Sequence, residues 1–530
     1  MQRKNIDKFH RLGYYCPKEP LKNWEDCNVK QEWNHTRTYR ERMLADPYRP
    51  TYHFAIPDDN GVPGDSNGAF FADGIYHLMY LYRNTDKNAF HWGHMSSLDL
   101  LHWRQHPDAL TGFRGDEGCF SGGAFVDEDG RAYLTFWKFA AKDGSDNSGI
   151  AMVCADPPYE VWERMEPIAV NASEWGILDL VWNGEIRHVG NADPSNIWKK
   201  DGYYYMQLGN LCVLNQYGRE VDSPDLYKGG WTELYRSADL KNWEYRGRFY
   251  PNTYTGENDW PDATEDDMCP SFLPLYDKMA GGEFTGNYLQ LFIAHNKGCQ
   301  YLVGPLDGEY FKPQHHGRMS WRDSAYFAPE ALVDEQNRHI IWTWLRDDLP
   351  NAFDRFGWSG VFSFPRCVWW ENGTLRMAPA EELERLQYHP KTLSDVVRGV
   401  LPVKGDTFRA KLTFDGSGKQ GLRLREDEES GEYTEIYYDP SQKKLVFDAT
   451  QSGSEGWKIR EEAPFALLDG EDLELDIFVD KSVVEVYANT RQAICRRVYP
   501  TCPGKAQKVT LVGDGLKELS AWDMFPANMY

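Results

Sequence analysis

One kind of strand recurs five times in this chain, and it constrains the fold more than any other feature. Each copy is an aromatic-rich run that follows a turn, and the copies begin roughly 50 to 85 residues apart. They are GIYHLMYLYR (74–83), GRAYLTFWKF (130–139), GYYYMQLGN (202–210), NYLQLFIAHN (287–296) and RHIIWTWLRD (338–347). One sheet per period is typical of a β-propeller, so the five copies predict five blades. The alternative is one large, non-repeating β-sandwich.

The strand pattern also divides the chain into regions. Residues 1–48 are polar and predict a short helical or irregular N-terminal extension, and residues 49–385 hold the recurring strands. The helix-forming run AEELERLQ leads into a predicted linker at 386–400. Residues 401–530 contain short alternating strands separated by turns, which are typical of an antiparallel sandwich. The predicted fold class is therefore all-β, with a five-bladed β-propeller followed by a C-terminal β-sandwich.

The charge balance limits what the protein can bind. The formal net charge is -23 and the pI is about 5.1, so a nucleic-acid partner or an anionic membrane surface is disfavoured. A neutral substrate such as a sugar is compatible with this charge. Aromatic residues make up 15% of the chain, and they serve either as core filling or as faces on which sugar rings pack.

The cysteines and the N-terminal residues bear on cellular location. The ten cysteines form neither a CxxC pair nor a cluster of metal ligands. The first twenty residues contain no apolar signal segment, and no run of 18 apolar residues occurs. The sequence thus predicts reduced thiols, a cytoplasmic location, no membrane contact, no metal and no cofactor. It leaves the oligomeric state open.

Acidic residues lie where inner propeller strands are expected to begin. Asp65 in GDSNG precedes the first recurring strand, and Asp193 in NADPS precedes the third. Glu265, Asp266 and Asp267 in TEDDMCP precede the fourth. An acidic residue beside a turn glycine is usually structural. Carboxylates from three blades can nevertheless meet at the propeller axis, and glycoside hydrolysis needs such a set.

Several motifs, in this order, resemble those of glycoside hydrolase family 32, the β-fructofuranosidases. They are GDSNG (64–68), FHWGHMSSLDLLHW (90–103), CFSGGAF (119–125), ADP (192–194), MCP (268–270), SAYFAPEALVDEQNRHIIWTWL (324–345) and FVDKSVVEVYAN (478–489). The resemblance covers about residues 50–530. It implies that Asp65 is the nucleophile and that Asp193 stabilises the transition state.

The chain departs from the family pattern at three positions. Ala192 stands where the family has an arginine, and Ser66 where it has a proline. Met268 replaces the glutamate that precedes Cys-Pro, and methionine cannot donate a proton. Side chains two apart in a strand point the same way, so Asp266 is the preferred replacement, and a bulge could instead aim Glu265. The alternative is an acidic surface turn in an inactive enzyme.

Six further residues are predicted to bind substrate, each with a structural alternative. Trp92 and Phe120 form either the sugar-stacking wall that the resemblance implies or part of the core. Asn67 bonds either its own turn or a sugar hydroxyl, and Ser121 belongs to the resembling FSGG motif. Arg322 and Asp323 either line the pocket or form a surface ion pair. Histidines near the motifs are expected to be structural; they are His53, His77, His91, His94, His102 and His295.

The function that the resemblance implies is a retaining β-fructofuranosidase acting on terminal residues. Asp65 would form a glycosyl-enzyme, Asp193 would stabilise the oxocarbenium-like transition state, and Asp266 or Glu265 would protonate the leaving oxygen. Ala192 and the changed acidic segment before Cys-Pro motivate two alternatives, a related furanosidase such as an arabinofuranosidase and a fructosyl transferase. Met268 motivates another, a non-catalytic carbohydrate-binding protein. In each case the expected partner is a carbohydrate.

Overall fold

The computed structural model describes most of the chain. The described residues are 46–55, 61–84, 89–111, 118–139, 148–166, 169–173, 175–254, 260–346, 349, 356 and 358–527. The predicted N-terminal extension lies outside them, apart from 46–48. Within the described part, no helix has the length and apolar character needed to cross a membrane.

Five antiparallel sheets follow one another along the first part of the chain. The first sheet contains β1 (Gly61–Ala72), β2 (Ile75–Asn84), β3 (Ala89–Ser97) and β4 (Trp103–Leu110). The second contains β5 (Ala124–Val126), β6 (Ala132–Lys138), β7 (Gly149–Ala155), β8 (Glu163–Arg164) and β9 (Val170–Asn171), with β8 and β9 both paired to β7. A hairpin of β10 (Ile177–Trp182) and β11 (Glu185–Gly190) leads to the third sheet.

The third sheet contains β12 (Ala192–Pro194), β13 (Trp198–Lys200), β14 (Tyr203–Gly209), β15 (Glu233–Ser237) and β16 (Trp243–Arg248). It also carries α1 (Leu211–Val213), a π-helical turn (Leu214–Gly218) and a 3₁₀ turn (Asp225–Tyr227). The fourth contains β17 (Met268–Tyr276), β18 (Phe284–Ala294), β19 (Gly298–Gly304) and, after the hairpin β20 (Leu306–Asp307) and β21 (Tyr310–Phe311), β22 (His315–Arg318). The fifth contains β23 (Tyr326–Val333), β24 (His339–Leu345), β25 (Arg366–Glu371) and β26 (Thr374–Pro379).

The recurring strand of the sequence is the second strand of each sheet, namely β2, β6, β14, β18 and β24. It is an apolar run without alternation because both of its faces are covered. The recurring strand is therefore not the innermost strand, so the expectation that the acidic residues lie at the start of the inner strands needs correction. Asp65 and Asp193 lie within the preceding strands β1 and β12, and the acidic segment 265–267 directly precedes β17.

The first strands of the sheets stand side by side around one axis. Strand β1 packs against β5 and β23, β12 packs against β6 and β17, and β17 packs against β23. Because β23 returns to β1, the ring closes. The predicted β-propeller is confirmed.

The C-terminal residues form two antiparallel sheets that share one apolar core. One sheet has the order β27-β37-β28-β33-β34-β35, and the other the order β32-β31-β30-β29-β36. The strands are β27 (Gln387–Thr392), β28 (Thr407–Phe414), β29 (Gln420–Asp427), β30 (Glu432–Asp439), β31 (Lys444–Asp448), β32 (Arg460–Pro464), β33 (Leu473–Asp480), β34 (Val483–Ala488), β35 (Gln492–Arg497), β36 (Lys508–Val512) and β37 (Leu516–Met524). The predicted β-sandwich is confirmed.

The region between the two domains is more ordered than a simple linker. AEELERLQ includes a 3₁₀ helix (Glu381–Leu386), and a second 3₁₀ turn (Leu393–Asp395) follows. The stretch predicted as a linker, 386–400, contains β27, which pairs with β37 at the edge of the sandwich. The chain therefore enters the second sheet system directly after the propeller.

The sandwich motif FVDKSVVEVYAN holds the propeller to the sandwich. Asp480 is buried and accepts the backbone N–H groups of Thr51, Tyr52 and His53 at 2.6, 2.7 and 2.7 Å. Glu485 accepts the backbone N–H of Phe364 at 2.9 Å. The acidic residues of this motif therefore satisfy backbone donors of the propeller across the interface.

The prediction of reduced cysteines is corrected at one position. Seven described cysteines are free, but Cys502 is disulfide-bonded. The sequence gives no signal for it, because a pair that is brought together only by the fold has no characteristic spacing.

Candidate active site

The innermost strands share a backbone device that aims side chains at the axis. A bulge interrupts β1, β12, β17 and β23, and each bulge contains a residue with positive φ. These residues are Gly68, Asp193, Cys269 and Ala328. A bulge with one left-handed residue bends the strand and redirects its side chains. Two of the four residues, Asp193 and Cys269, meet at the candidate site.

Asp65 lies on β1 within the first of two irregularities of the strand, at 63–66; the second is at 67–70. The hydroxyl of Ser121 donates to Asp65 Oδ2 at 2.5 Å, and the Cys269 thiol lies 3.9 Å from the same oxygen. Burial raises the pKa of the Asp65 carboxyl, against the lowering effects of Ser121 and of the positive charges of His295 and Arg346. Its side chain stays partly exposed, so a ligand can reach it.

Asp193 is the second carboxylate of the site. The Cys269 thiol donates to Asp193 Oδ2 at 3.4 Å, so this sulfur lies between Asp193 and Asp65. Burial, followed by the charge of Asp65, raises the pKa of Asp193 to about 7. Burial raises the pKa of the Cys269 thiol well above its usual value, so the thiol stays protonated as a donor. Carboxylates that are coupled in this way resist double ionisation.

Two glycines allow Ser121 to reach Asp65. A Cβ on Gly122 would lie 1.9 Å from the carbonyl oxygen of Thr135, and one on Gly123 would lie 2.2 Å from the backbone nitrogen of Asn196. The segment therefore passes between β6 and the third sheet with no room for a side chain. Glycine at position 123 fits this close approach.

The remaining residues of the first motifs support this arrangement. Asn67 is buried; its Oδ1 accepts the Gly122 N–H at 3.4 Å, and its amide lies 3.5 Å from the Asp65 carbonyl. Phe120 is half-buried beside the site. Trp92 is wholly buried and donates its indole N–H to the Phe120 carbonyl at 3.2 Å. The predicted stacking role of Trp92 is thus corrected, because a covered ring offers no face to a sugar.

Met268 fills space at the position of the missing glutamate. Its side chain is 1% exposed, and its sulfur lies 3.4 Å from the Leu211 backbone nitrogen. A Cβ on Gly209 would lie 2.5 Å from the same sulfur. Met268 is therefore held in the core between β14 and α1, and it offers no polar atom to a substrate.

Glu265 is not available for chemistry at Asp65. Its two carboxylate oxygens accept the guanidinium of Arg318 at 2.8 and 2.8 Å, and Gln300 donates to it at 2.6 Å. Burial alone would raise the pKa of Glu265, but the Arg318 hydrogen bonds and charge lower it. The prediction of Glu265 as proton donor is wrong, because an ionised carboxylate in a two-pronged ion pair has no proton to give.

Asp267 also serves a structural purpose. The phenol of Tyr250 donates to its Oδ2 at 2.5 Å, and its backbone N–H donates to Asn210 at 3.0 Å. Burial raises the pKa of Asp267 well above the usual value. No partner from the sites at Asp65 or Asp193 contacts it among the described residues.

Asp266 remains, and it is joined to a histidine. Its Oδ1 accepts the His295 backbone N–H at 3.1 Å, and its Oδ2 accepts the His295 Nδ1–H at 2.7 Å. Asp266 is 1% exposed and His295 is 45% exposed. Burial alone would lower the pKa of His295, but the hydrogen bond with Asp266 and the charges of Asp266, Asp193 and Asp65 raise it. The expectation of a structural histidine here does not match a partly exposed imidazole coupled to both site carboxylates.

Arg346 is a site residue that the motifs do not reveal. It lies after β24, donates to Ser324 Oγ at 2.5 Å and lies over the ring of Phe327, 4.9 Å from its centroid. Its positive charge lowers the pKa of Asp65. Phe327 also meets His295 edge-on, with ring centroids 5.7 Å apart. The signal for Arg346 is its place at the end of the fifth recurring strand, directly after WTWL.

Arg322 and Asp323 are predicted to line the pocket, with a surface ion pair as the alternative, and no such pair joins them among the described residues. Arg322 is exposed. Asp323 accepts a guanidinium hydrogen of Arg496, on the sandwich, at 3.0 Å, and it also accepts the Ala325 N–H. Asp323 therefore joins the two domains, and only its charge reaches the site, through Arg346.

The arrangement fits acid–base and nucleophilic chemistry on a neutral ligand. Two coupled carboxylates face each other across Cys269, and both act electrostatically on the histidine of a histidine–aspartate pair. Among the described residues, no group of three or more histidine, cysteine or acidic side chains is placed to hold a metal ion.

Comparison with known proteins identifies the family. Residues 53–379 match the family model "Glycosyl hydrolases family 32 N-terminal domain", and residues 378–523 match "Glycosyl hydrolases family 32 C terminal". Raffinose invertase of Escherichia coli is 26% identical over 505 residues, covering 89% of this chain and 94% of that protein. Levanase of Bacillus subtilis is 26% identical over 507 residues, covering 89% of this chain and 69% of that protein.

A solved structure shares the fold. Fructan 1-exohydrolase IIa from Cichorium intybus superposes with a TM-score of 0.74 at 19% identity, over 91% of this chain and 98% of that one. The two family models together span both the propeller and the sandwich. The chain belongs to glycosyl hydrolase family 32.

Proposed function

We propose that this glycoside hydrolase removes terminal β-fructofuranosyl residues from a carbohydrate with retention of configuration, using Asp65 as nucleophile and Asp193 as transition-state stabiliser. The observation that carries the proposal is the pair of carboxylates coupled across Cys269. Raffinose invertase, levanase and fructan exohydrolase, the relatives named above, support a fructoside as the substrate.

Asp65 is suited to attack the anomeric carbon. The hydrogen bond from Ser121 fixes one carboxylate oxygen and favours the ionised form, and the charges of His295 and Arg346 act in the same direction. Attack forms a covalent glycosyl-enzyme, which water then hydrolyses. Because two displacements occur at the same carbon, the product keeps the configuration of the substrate.

Asp193 lies where it can accept hydrogen bonds from sugar hydroxyls. It is almost fully buried, and in a site with little water such bonds strengthen as positive charge develops on the sugar ring. Its carboxyl loses its proton near neutral pH, since its pKa is about 7 without substrate. The proton for the leaving oxygen comes from the Asp266 side of the site. Met268 has no acidic proton, Glu265 is ion-paired with Arg318, and Asp267 bonds Tyr250 and Asn210 and, among the described residues, no group of the site.

A cytoplasmic location is also part of the proposed function. The seven free cysteines support the predicted cytoplasmic location, and Cys502 does not. Fractionation of cells, with alkylation of free thiols before lysis, tests it. Recovery of the active protein outside the cytoplasm would contradict it.

The experiment compares wild type with Asp65→Asn on sucrose, inulin, levan and an aryl arabinofuranoside. We expect fructose release by wild type, and a loss of kcat/KM on the order of 10⁴-fold or more in the variant, because the nucleophile is gone. Asp73→Asn, an exposed aspartate in the turn after β1, is the matched control and should retain full activity. Cleavage of the arabinofuranoside alone, or activity that survives Asp65→Asn, would contradict the proposal.

Retention is tested separately by NMR of the first product formed in methanol–water mixtures. A retaining enzyme transfers the fructosyl group to methanol as the β-methyl fructoside. Formation of the α-anomer as the initial product would refute the covalent role of Asp65.

A further inference from the structure

The site retains a nucleophile, but the glutamate of the resembling motif is replaced by Met268. The two displacements of the proposed function need one group that gives a proton to the leaving oxygen and later takes one from water. Glu265 is locked to Arg318, and Asp267 is bonded to Tyr250. The donor must therefore be sought among the other titratable groups around Asp65.

His295 and Asp266 occupy neighbouring positions that the strand register explains. Met268 of β17 pairs with Ile293 of β18. Two residues further out along this pair, Asp266 and His295 face each other and are joined by two hydrogen bonds. Because side chains two apart point the same way, this pair lies on the face that Met268 occupies, one rung further from the start of β17.

We propose, building on the function proposed above, that His295 is the proton donor to the leaving oxygen and the base that activates water, and that Asp266 is the positioning residue that holds its ring. Asp266 binds Nδ1 at 2.7 Å and the backbone N–H of the same residue at 3.1 Å. This grip fixes the imidazole with Nε2 directed away from Asp266. A buried carboxylate that orients a partly exposed imidazole is a common arrangement for acid–base catalysis.

His295 interacts electrostatically with both carboxylates of the site. Asp65 and Asp193 both act on it electrostatically, and it in turn lowers the pKa of each of them. The Phe327 ring of β23 meets the His295 ring edge-on, and the Arg346 guanidinium lies over the Phe327 ring. The groups that face His295 are thus three carboxylates from three sheets, an aromatic ring and, beyond the ring, one cation.

The chemistry balances in two steps. In the first, Asp65 attacks the anomeric carbon, the bond to the leaving oxygen breaks, and Nε2–H of the imidazolium gives its proton to that oxygen. In the second, neutral His295 takes a proton from water, the water oxygen bonds to the anomeric carbon, and Asp65 leaves as carboxylate. The imidazolium is restored, so no other reactant is consumed. The raised pKa of His295 keeps the protonated form available for the first step.

The test compares His295→Gln and Asp266→Asn with wild type on sucrose and on 4-nitrophenyl β-fructofuranoside. Sucrose has a poor leaving group that must be protonated, whereas nitrophenolate leaves without a proton. We expect His295→Gln to lower kcat/KM about 10²- to 10⁴-fold on sucrose and less than about 10-fold on the nitrophenyl substrate. Slow hydrolysis of the intermediate should produce a burst of nitrophenol, and azide should restore turnover by replacing water.

Asp266→Asn tests the positioning role by a pH profile. Loss of the carboxylate removes the largest influence that raises the pKa of His295, so the alkaline limb of kcat/KM on sucrose should move to lower pH. His102→Gln is the matched control, because His102 bonds Asp99 at 2.9 Å on the exposed turn between β3 and β4. It should leave both substrates and the pH profile unchanged.

The outcomes separate this inference from the proposed function. Unchanged sucrose hydrolysis in His295→Gln would overturn the inference, and so would a leaving-group dependence that appears in Asp193→Asn but not in His295→Gln. Loss of activity on both substrates alike in His295→Gln would also contradict it, because a donor affects only the poor leaving group. A wild-type enzyme inert on every fructoside would instead refute the proposed function.

Discussion

Replacing Asp480 by alanine should destabilise the protein more than any other single change at the interface between propeller and sandwich. Its carboxylate is completely buried and is the partner of three backbone N–H groups, those of Thr51, Tyr52 and His53, and of the His53 imidazole at 3.1 Å. A buried N–H without a partner costs roughly 1–3 kcal/mol, and breaking a buried charged contact costs about 3–5 kcal/mol. We expect a loss of about 3–5 kcal/mol of unfolding free energy.

The assay is guanidinium denaturation followed by tryptophan fluorescence, at pH 7 and at pH 3. Hydrogen bonds from His53 and the backbone lower the pKa of Asp480 against the effect of burial. The stabilisation is therefore complete above the unfolded-state pKa of about 3.9 and is lost as the pH falls through the folded-state value. The gap between wild type and the variant should shrink at pH 3.

Asp472→Ala is the control, because Asp472 forms an exposed ion pair with Lys517 that contributes about 0–1 kcal/mol. If Asp480→Ala unfolds at the same denaturant midpoint as Asp472→Ala, the interface is not held by these backbone contacts. Asp480→Asn, which retains one acceptor oxygen, should fall between the two.

The other predictions concern pH. Ser121→Ala removes a hydrogen bond that lowers the pKa of Asp65, so the acid limb of the kcat/KM profile should move to higher pH. At pH values below the new limb, kcat/KM should fall about 10- to 100-fold. An unmoved limb would disprove the influence of Ser121 on Asp65. Arg346→Met should move the limb in the same direction, which the same pH profile checks. Burial lowers the pKa of His77 to about 3 and of His94 to about 2. Because unfolded histidine titrates near 6.5, denaturation should show stability falling from pH 6.5 towards 3, by up to about 1.4 kcal/mol per pH unit for each, and His94→Gln should reduce that slope.

The sequence predicts the architecture well because the propeller repeats itself. An aromatic strand with both faces covered occurs once per sheet, and its apolar pattern depends only on local burial. The strand nearest the axis is harder to identify, since β5 and β12 have three residues each and a bulge interrupts β12. Asp65 and Asp193 could still be predicted, because GDSNG and ADP resemble motifs of the family.

The proton donor could not be chosen from the sequence alone. Strand parity favours Asp266 over its neighbours, and the structure shows why Glu265 differs: it meets Arg318, a residue of another strand of the same sheet. Such a partner is set by sheet pairing and not by spacing along the chain. The same holds for Trp92, whose burial depends on the packing of the second sheet against the first.

If His295 is the proton donor, the hairpin of β17 and β18 offers a second position for this group in place of the one that Met268 occupies. Met268 and Ile293 form the paired rung, and the next rung outward on the same face holds Asp266 and His295. A carboxylate at position 268 would need only a short side chain to contact the leaving oxygen. A donor on the pair Asp266–His295, one rung away, needs a longer side chain. An imidazole held at Nδ1 supplies that length and keeps Nε2 for the proton. Met268 fills the inner rung with apolar volume against Gly209 and Leu211. The burial of Asp65 and Asp193 raises the pKa of both.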